Sequence, residues 1–313
     1  LVILFLSSTT LCSEPAISYA AGSDSLFYIR STFRDRPGFY YYDGKVERRL
    51  RTQDIATENQ FSYKNGKIVY AAYERDPRRG WISYSSIRVL DVKSRKQFEL
   101  TKHTRYFTPD ISDAGKVVAV CVNESGKTSL HWLDVPSGNL LATWQSPAGY
   151  FLTDPKFVDE DRVVVAARKP TGEMALLLLE NNKEVELTPF LPFSLGYLQF
   201  NKGRIFFSAG YTGNDDLYAY SLAEKKLYQI VSGGWGKYQV HVSDKEVLWT
   251  EQSAEGYQLK SVKIESLSWQ PIEFANLLNS SIAVSQQAVA FQQSTNWINA
   301  TMGDRQWGPT PYK

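Results

Sequence analysis

The chain has 313 residues, 43% of them hydrophobic and 22% charged, with 35 Lys and Arg set against 33 Asp and Glu for a formal net charge of +2. Its 16 Phe, 19 Tyr and 8 Trp exclude an intrinsically disordered chain, and its two cysteines exclude a disulfide scaffold. So even a charge balance excludes a chain-wide field for nucleic acid or an anionic membrane, and at this size the core needs no metal or disulfide.

The N-terminal run LVILFL, Leu1–Leu6, is too short to span a bilayer. Followed by SSTTLCSEPA, it reads either as the end of a secretory signal peptide or as a leading strand, so residues 1–16 stand apart. Leu11 before Cys12 does not fit a lipoprotein site, and no other segment approaches membrane-spanning length.

From residue 17 a repeat takes over. Seven segments share a short apolar piece, a turn and a β-branched or aromatic run: ISYAAGSDSLFYI, FSYKNGKIVYAAY, ISDAGKVVAVCV, FVDEDRVVVAAR, FNKGRIFFSAG, VSDKEVLWTE and VSQQAVAFQQ. Their second strands begin near Leu26, Ile68, Val117, Val163, Ile205, Val247 and Val289, in steps of 42, 49, 46, 42, 42 and 42. Glycine follows the second strand at Gly126, Gly172, Gly213 and Gly256, where a tight turn favours positive φ. A third strand then ends near an acid, at Asp43, Asp91, Asp134 or Glu180, and a fourth closes the unit, as in RRLRT, FELTK, LLATW, VELTP and LYQIV. Four strands per unit at this period are the signature of β-propeller blades.

The fold expected is therefore all-β: a propeller of four-stranded blades, at residues 17–52, 59–103, 106–147, 150–190, 195–234 and 238–277. The one short helix candidate is PIEFANLL, Pro271–Leu278. Ser281–Gln293 supplies half a seventh unit, which either packs outside six closed blades, the favoured reading, or pairs with Leu1–Leu6 to close seven. The propeller domain is then 17–293, with a tail over 294–313.

The segments TPDISDAGKVVAV and GNDDLYAYSL, with the endings FELT and VELT, resemble the TolB-like β-propeller repeat over nearly the whole chain. Residues 24–135 resemble the propeller of large bacterial cell-envelope proteins that also carry a zinc-peptidase-like domain, and often an outer-membrane barrel. Their usual R-W-G before Y-S-x-I is here Arg78-Arg79-Gly80-Trp81. The resemblance implies a periplasmic or cell-envelope, outer-membrane-associated module.

Catalytic signals are absent from the sequence. His103, His131 and His241 form no H-E-x-x-H pair, and no G-x-S-x-G elbow, P-loop or G-x-G-x-x-G occurs. SGGWGK, Ser232–Lys237, reads as an inter-blade loop. Asp215-Asp216 reads as a solvated turn rather than a calcium site, Cys121 as a small buried hydrophobe, and Glu173 and Glu251 as carboxylates without partners. No catalytic residue, metal or cofactor is expected, and the chain is expected to be a monomer.

One constellation points to binding. The loops after second strands and before first strands open on one mouth of a propeller. Arg30, Glu74, Arg75, Arg105, Tyr106, Arg168, Tyr211, Asp215 and Glu251 fall there, a set of charges and aromatic rings suited to a protein or peptide segment. The expected function is a non-catalytic, protein- or peptide-binding scaffold. The alternatives are a substrate-gating propeller for a peptidase domain elsewhere in the parent chain and, more weakly, carbohydrate binding.

Overall fold

The computed structural model describes residues 17–277 except 22–25, 32–34, 44, 57, 59 and 254–255. The leading segment 1–16, the half-unit Ser281–Gln293 and the tail 294–313 lie outside the described residues.

Six antiparallel sheets form in chain order. The first holds β1 (Ile17–Ala21), β2 (Leu26–Arg30), β3 (Gly38–Tyr42) and β4 (Glu47–Thr52). The second holds β5 (Phe61–Lys64), β6 (Lys67–Arg75), β7 (Ser83–Asp91) and β8 (Gln97–Glu99). The third runs β9 (Tyr106–Ile111), β10 (Lys116–Val122), β11 (Thr128–Asp134) and β12 (Leu140–Trp144). The fourth runs β13 (Phe151–Phe157), β14 (Val163–Arg168), β15 (Met174–Glu180) and β16 (Lys183–Glu186). The fifth has β17 (Leu195–Asn201), β18 (Arg204–Ala209), β19 (Asp216–Ser221) and β20 (Lys226–Val231); the sixth has β21 (Lys237–Val242), β22 (Glu246–Ser253) and β23 (Gly256–Lys263).

The first strands β1, β5, β9, β13, β17 and β21 neighbour one another around a central axis, and β1 meets β21. The fold is a six-bladed β-propeller. Second strands are apolar at successive residues because both faces are covered. In β10, Val117 and Ala119 pack with Val69, Ile87 and Val89 of the second sheet. Val118 and Val120 pack on the other side with Leu152, Val163 and Val165 of the fourth. The circle closes the same way: Tyr28 and Tyr40 of the first sheet pack with Leu248 of the sixth. Among the described residues no strand is shared between those two sheets, so side-chain burial joins them.

The glycine column behaves as its turns require, with φ of 79° at Gly126, 108° at Gly172, 92° at Gly213 and 116° at Gly256. The acids after third strands hold the next turn: Asp43 accepts the N–H groups of Lys45 and Val46, and Asp91 that of Ser94.

One expected blade is built differently. Among the described residues the sixth sheet has three strands, and the next strand, β24 (Gln270–Ile272), pairs with β20 as a fifth strand of the fifth sheet. Trp269 draws it there. Its ring meets Phe206 and Tyr228 edge-on, and the Arg204 guanidinium lies 4.8 Å from its centre. Pro271, expected to begin a helix, is thus in a strand, and 274–277 are helical. The chain divides into two compact units at that point, Leu1–Ile272 and Glu273–Lys313. No helix among the described residues is long and apolar enough to cross a membrane.

Candidate functional site

The inner strands of four blades share a defect that positions the site. Thr108, Asp154, Tyr197 and Gln239 have φ of 45°, 50°, 56° and 53°. Each sits where the first strand slips against the second, two residues opposing one. Such a bulge re-aims the side chain that follows. Past each slip, pairing resumes at Asp110↔Val118, Lys156↔Val164, Gln199↔Phe206 and His241↔Leu248. Ser62, paired with Val69, holds the same position in the second sheet. Five polar side chains from five blades thus occupy one level of the central channel.

They line a funnel of about 750 Å³ that opens at the turns between first and second strands. At this level Asp110 accepts Ser62 Oγ at 2.7 Å, Lys156 Nζ at 3.2 Å and the Phe157 N–H at 2.9 Å. The lip is a belt from blade to blade. Asn65 Nδ2 donates to the Asp113 carbonyl, Ser112 Oγ donates to Glu160, Asn201 Nδ2 donates to the Val242 carbonyl, and Lys202 pairs with Asp244 at 2.9 Å.

Around Lys156 the channel holds further titratable groups. Glu58 accepts the Thr108 N–H at 2.6 Å, and Asp154 accepts the Tyr197 N–H at 2.8 Å. Burial pushes the Glu58 carboxyl up to about 7, outweighing the Thr108 bond, and also raises Asp154. Burial, aided by the Lys156 charge, pushes the His241 imidazole down to about 3.

The nine residues expected at the mouth lie on the opposite face, and none of them lines the funnel. Arg30 lies over the Tyr40 ring and bonds Glu47 at 2.8 Å. Glu74 pairs with Arg88 and accepts Ser86 Oγ at 3.2 Å. Tyr106 is 7% exposed and bonds His131 Nδ1, and burial pushes its hydroxyl up to about 12. Tyr211 is 3% exposed, against Phe193, Phe207 and Tyr218. Asp215 accepts the Tyr238 hydroxyl, and Glu251 accepts the Trp249 indole N–H, both at 3.0 Å. Arg105 and Arg168 are exposed. Arg75 is exposed as well, so three of the nine offer unburied charge, and six are packed, paired or hydrogen-bonded within the blades.

Cys121 is half-buried, with its thiol raised by burial. Among the described residues no three His, Cys, Asp or Glu side chains group as a metal site. The funnel column was missed in the sequence reading, although its signal is there: Ser62, Asp110, Lys156, Gln199 and His241 each stand five to seven residues before a second strand.

No family model matches the chain, and no curated protein matches it. Solved structures do. The tricorn protease superposes with a TM-score of 0.61 at 12% identity, over 82% of this chain and 26% of that one. A puromycin-hydrolysing peptidase of Mycobacterium tuberculosis gives 0.56 at 12% identity, over 80% and 52%. The β-propeller domain of the Trilobed protease from Pyrococcus furiosus, described as having an open velcro topology, gives 0.53 at 15% identity, over 82% and 84%. The chain thus spans about half the length of the puromycin-hydrolysing peptidase. At these identities the likeness establishes the propeller fold.

Proposed function

We propose that this chain is a non-catalytic propeller that receives an extended peptide segment in its channel funnel, serving a peptidase domain of its parent protein. The observation that carries this reading is the level of Ser62, Asp110, Lys156, Gln199 and His241 at the base of an open, polar cavity. A cavity of about 750 Å³ is within the range of ligand sites, and polar donors and acceptors from several blades suit the amides of a peptide backbone. The likeness to propellers of peptidases supports the association with peptide chemistry. The cell-envelope setting implied by the resemblance belongs to the same proposal.

The test is a fluorescence-anisotropy titration with labelled, unstructured pentapeptides. Binding without cleavage is expected. Gln199→Trp, which fills the funnel, should abolish it while leaving the melting temperature within a few degrees. Unchanged affinity in that variant would remove the funnel from the reading.

A further inference from the structure

The hairpin of β6 and β7 projects from the face opposite the funnel. The two strands pair without a slip from Lys67↔Asp91 to Arg75↔Ser83. The inner neighbour β5 reaches only Tyr70, and the outer neighbour β8 only Arg88. Five residue pairs, Ala71↔Ile87 to Arg75↔Ser83, therefore run past both; Ala71, Ala72, Ser85, Ser86 and Ile87 stay buried, and residues 75–83 form the exposed end. Two connectors brace the extension. The Tyr73 N–H donates to the Ile55 carbonyl at 2.6 Å, and the Ser85 N–H donates to the Thr104 carbonyl at 2.8 Å.

Beyond the brace the tip holds its own shape. The Asp76 carboxylate accepts the N–H groups of Arg78 and Arg79, both at 2.8 Å, and these bonds hold it below its ordinary pKa. The Asp76 N–H donates to the Ile82 carbonyl, and the Ile82 N–H to the Arg79 carbonyl. Tyr84 packs its ring 4.9 Å from that of His103. This ordered tip holds Trp81 in solvent, 83% exposed, with Arg75, Arg78 and Arg79 exposed beside it. Asp76 is the one acid among residues 75–83, so three guanidinium groups face one carboxylate already in use. A parallel bridge brings exposed Arg105 alongside Ser85.

We propose that this hairpin is a docking arm for an acidic polypeptide segment, whose carboxylates pair with Arg78, Arg79 and Arg105 and whose apolar side chain covers the Trp81 indole. Charge complementarity selects the partner: the tip is cationic in a chain whose overall charge is nearly balanced. Trp and Arg are the side chains that most often anchor interfaces, and a tip ordered before binding loses little entropy on binding. A lipid surface fits less well, because one ring and one cationic cluster give too little insertion for stable anchoring.

The experiment probes the full chain against an array of twelve-residue peptides, each with at least three Asp or Glu and one Leu or Phe, and titrates those captured. Capture is expected, with affinity falling as salt rises. Trp81→Ala and the double variant Arg78→Glu/Arg79→Glu should each weaken binding at least tenfold at an unchanged melting temperature. Lys127→Glu, on the same face in the third sheet, should bind like the parent chain. Failure to capture any acidic peptide would overturn the proposal. So would undiminished binding by Trp81→Ala, or an equal loss in Lys127→Glu, which would mean a diffuse field. Binding to phosphatidylglycerol vesicles that depends on Trp81, in place of peptide capture, would reassign the arm to membranes and overturn it as well.

Discussion

The carboxylate of Asp154 accepts the backbone N–H of Tyr197 at 2.8 Å, and the two residues hold the same bulge position in successive inner strands. A bulge leaves an N–H without a ladder partner, and an orphaned buried N–H is costly. The bulge residue of one blade satisfies that of the next, so the defect that shapes the channel also ties two blades together.

This coupling separates two substitutions. Asp154→Ala removes the acceptor and puts alanine at φ 50°, a conformation that Asn and Asp tolerate better. It should cost about 2–4 kcal/mol, from the orphaned N–H together with the backbone strain. Asp154→Asn keeps an acceptor and removes a buried carboxyl whose ionisation burial opposes, and should stay within about 1 kcal/mol of the parent chain. Urea unfolding of both measures the gap; equal losses would mean that the bond to Tyr197 contributes nothing.

Glu58 and His241 should give opposite pH dependences. Glu58 has a folded-state pKa near 7 against an ordinary 4.5, so between those values the folded state binds more protons than the unfolded chain. Its contribution is most favourable below pH 4.5 and falls as pH rises to 7. The groups facing it are Asp154, which adds to the shift, and Lys156, which opposes it. Glu58→Gln should therefore gain on the parent chain by about 1–3 kcal/mol from pH 4.5 to 7.5, at 1.36 kcal/mol per pKa unit with a discount for partial exposure.

His241 works the other way. Its folded-state pKa near 3 lies below the ordinary 6.5, so the unfolded chain takes up the extra proton and stability falls as pH drops from 6.5 toward 3. His241→Gln should lose less stability than the parent chain on acidification through that range. Melting temperatures of the two variants from pH 4 to 8 should diverge from the parent curve in opposite senses, and parallel curves would contradict both assignments.

The propeller was legible because its determinants are local and repeated. Strand runs, the glycine column and the acids after third strands recur in register, and each meets its expected turn. Strand ownership near residue 270 was not legible, because it depends on Trp269 finding Phe206 and Tyr228 about forty to sixty residues away. The mouth residues misled in a different manner. Arg30 and Glu74 read as loop charges, yet each has a partner, Glu47 and Arg88, that only folding supplies. The bulges are half visible: Pro109 and Pro155 mark two of them inside strands, whereas Tyr197–Leu198 and Gln239–Val240 carry no such mark.

Among the described residues closure of the circle rests on side chains, and Leu248 is the sixth sheet's buried member of the cluster with Tyr28 and Tyr40. Leu248→Ala should cost about 2–4 kcal/mol through lost burial and the cavity left behind. Amide exchange should accelerate first in β2 and β22, the strands on either side of the seam. A loss spread evenly over all six sheets would show that closure is not the weak point.

The last prediction concerns Lys237, 1% exposed at the start of β21. Its ammonium donates to Asp216 at 3.1 Å and to the carbonyls of Trp235 and Gly233. It thus joins the fifth and sixth sheets and closes the loop 232–236. The other Asp216 oxygen accepts Thr212 Oγ1 and Gln229 Nε2, both at 3.0 Å. Removing one partner of a buried pair leaves the other charge uncompensated, so Lys237→Met should cost about 3–5 kcal/mol. Adding Asp216→Asn should recover part of that loss, since an amide is neutral and keeps bonds to Thr212 and Gln229. The loop should stay loose in both variants, because both have lost the bonds to the Gly233 and Trp235 carbonyls. Faster exchange at 232–236 in single and double variants alike, with stability restored in part only in the double, would separate the latch from the ion pair. If the double variant is no more stable than Lys237→Met, the stranded Asp216 charge is not the source of the cost.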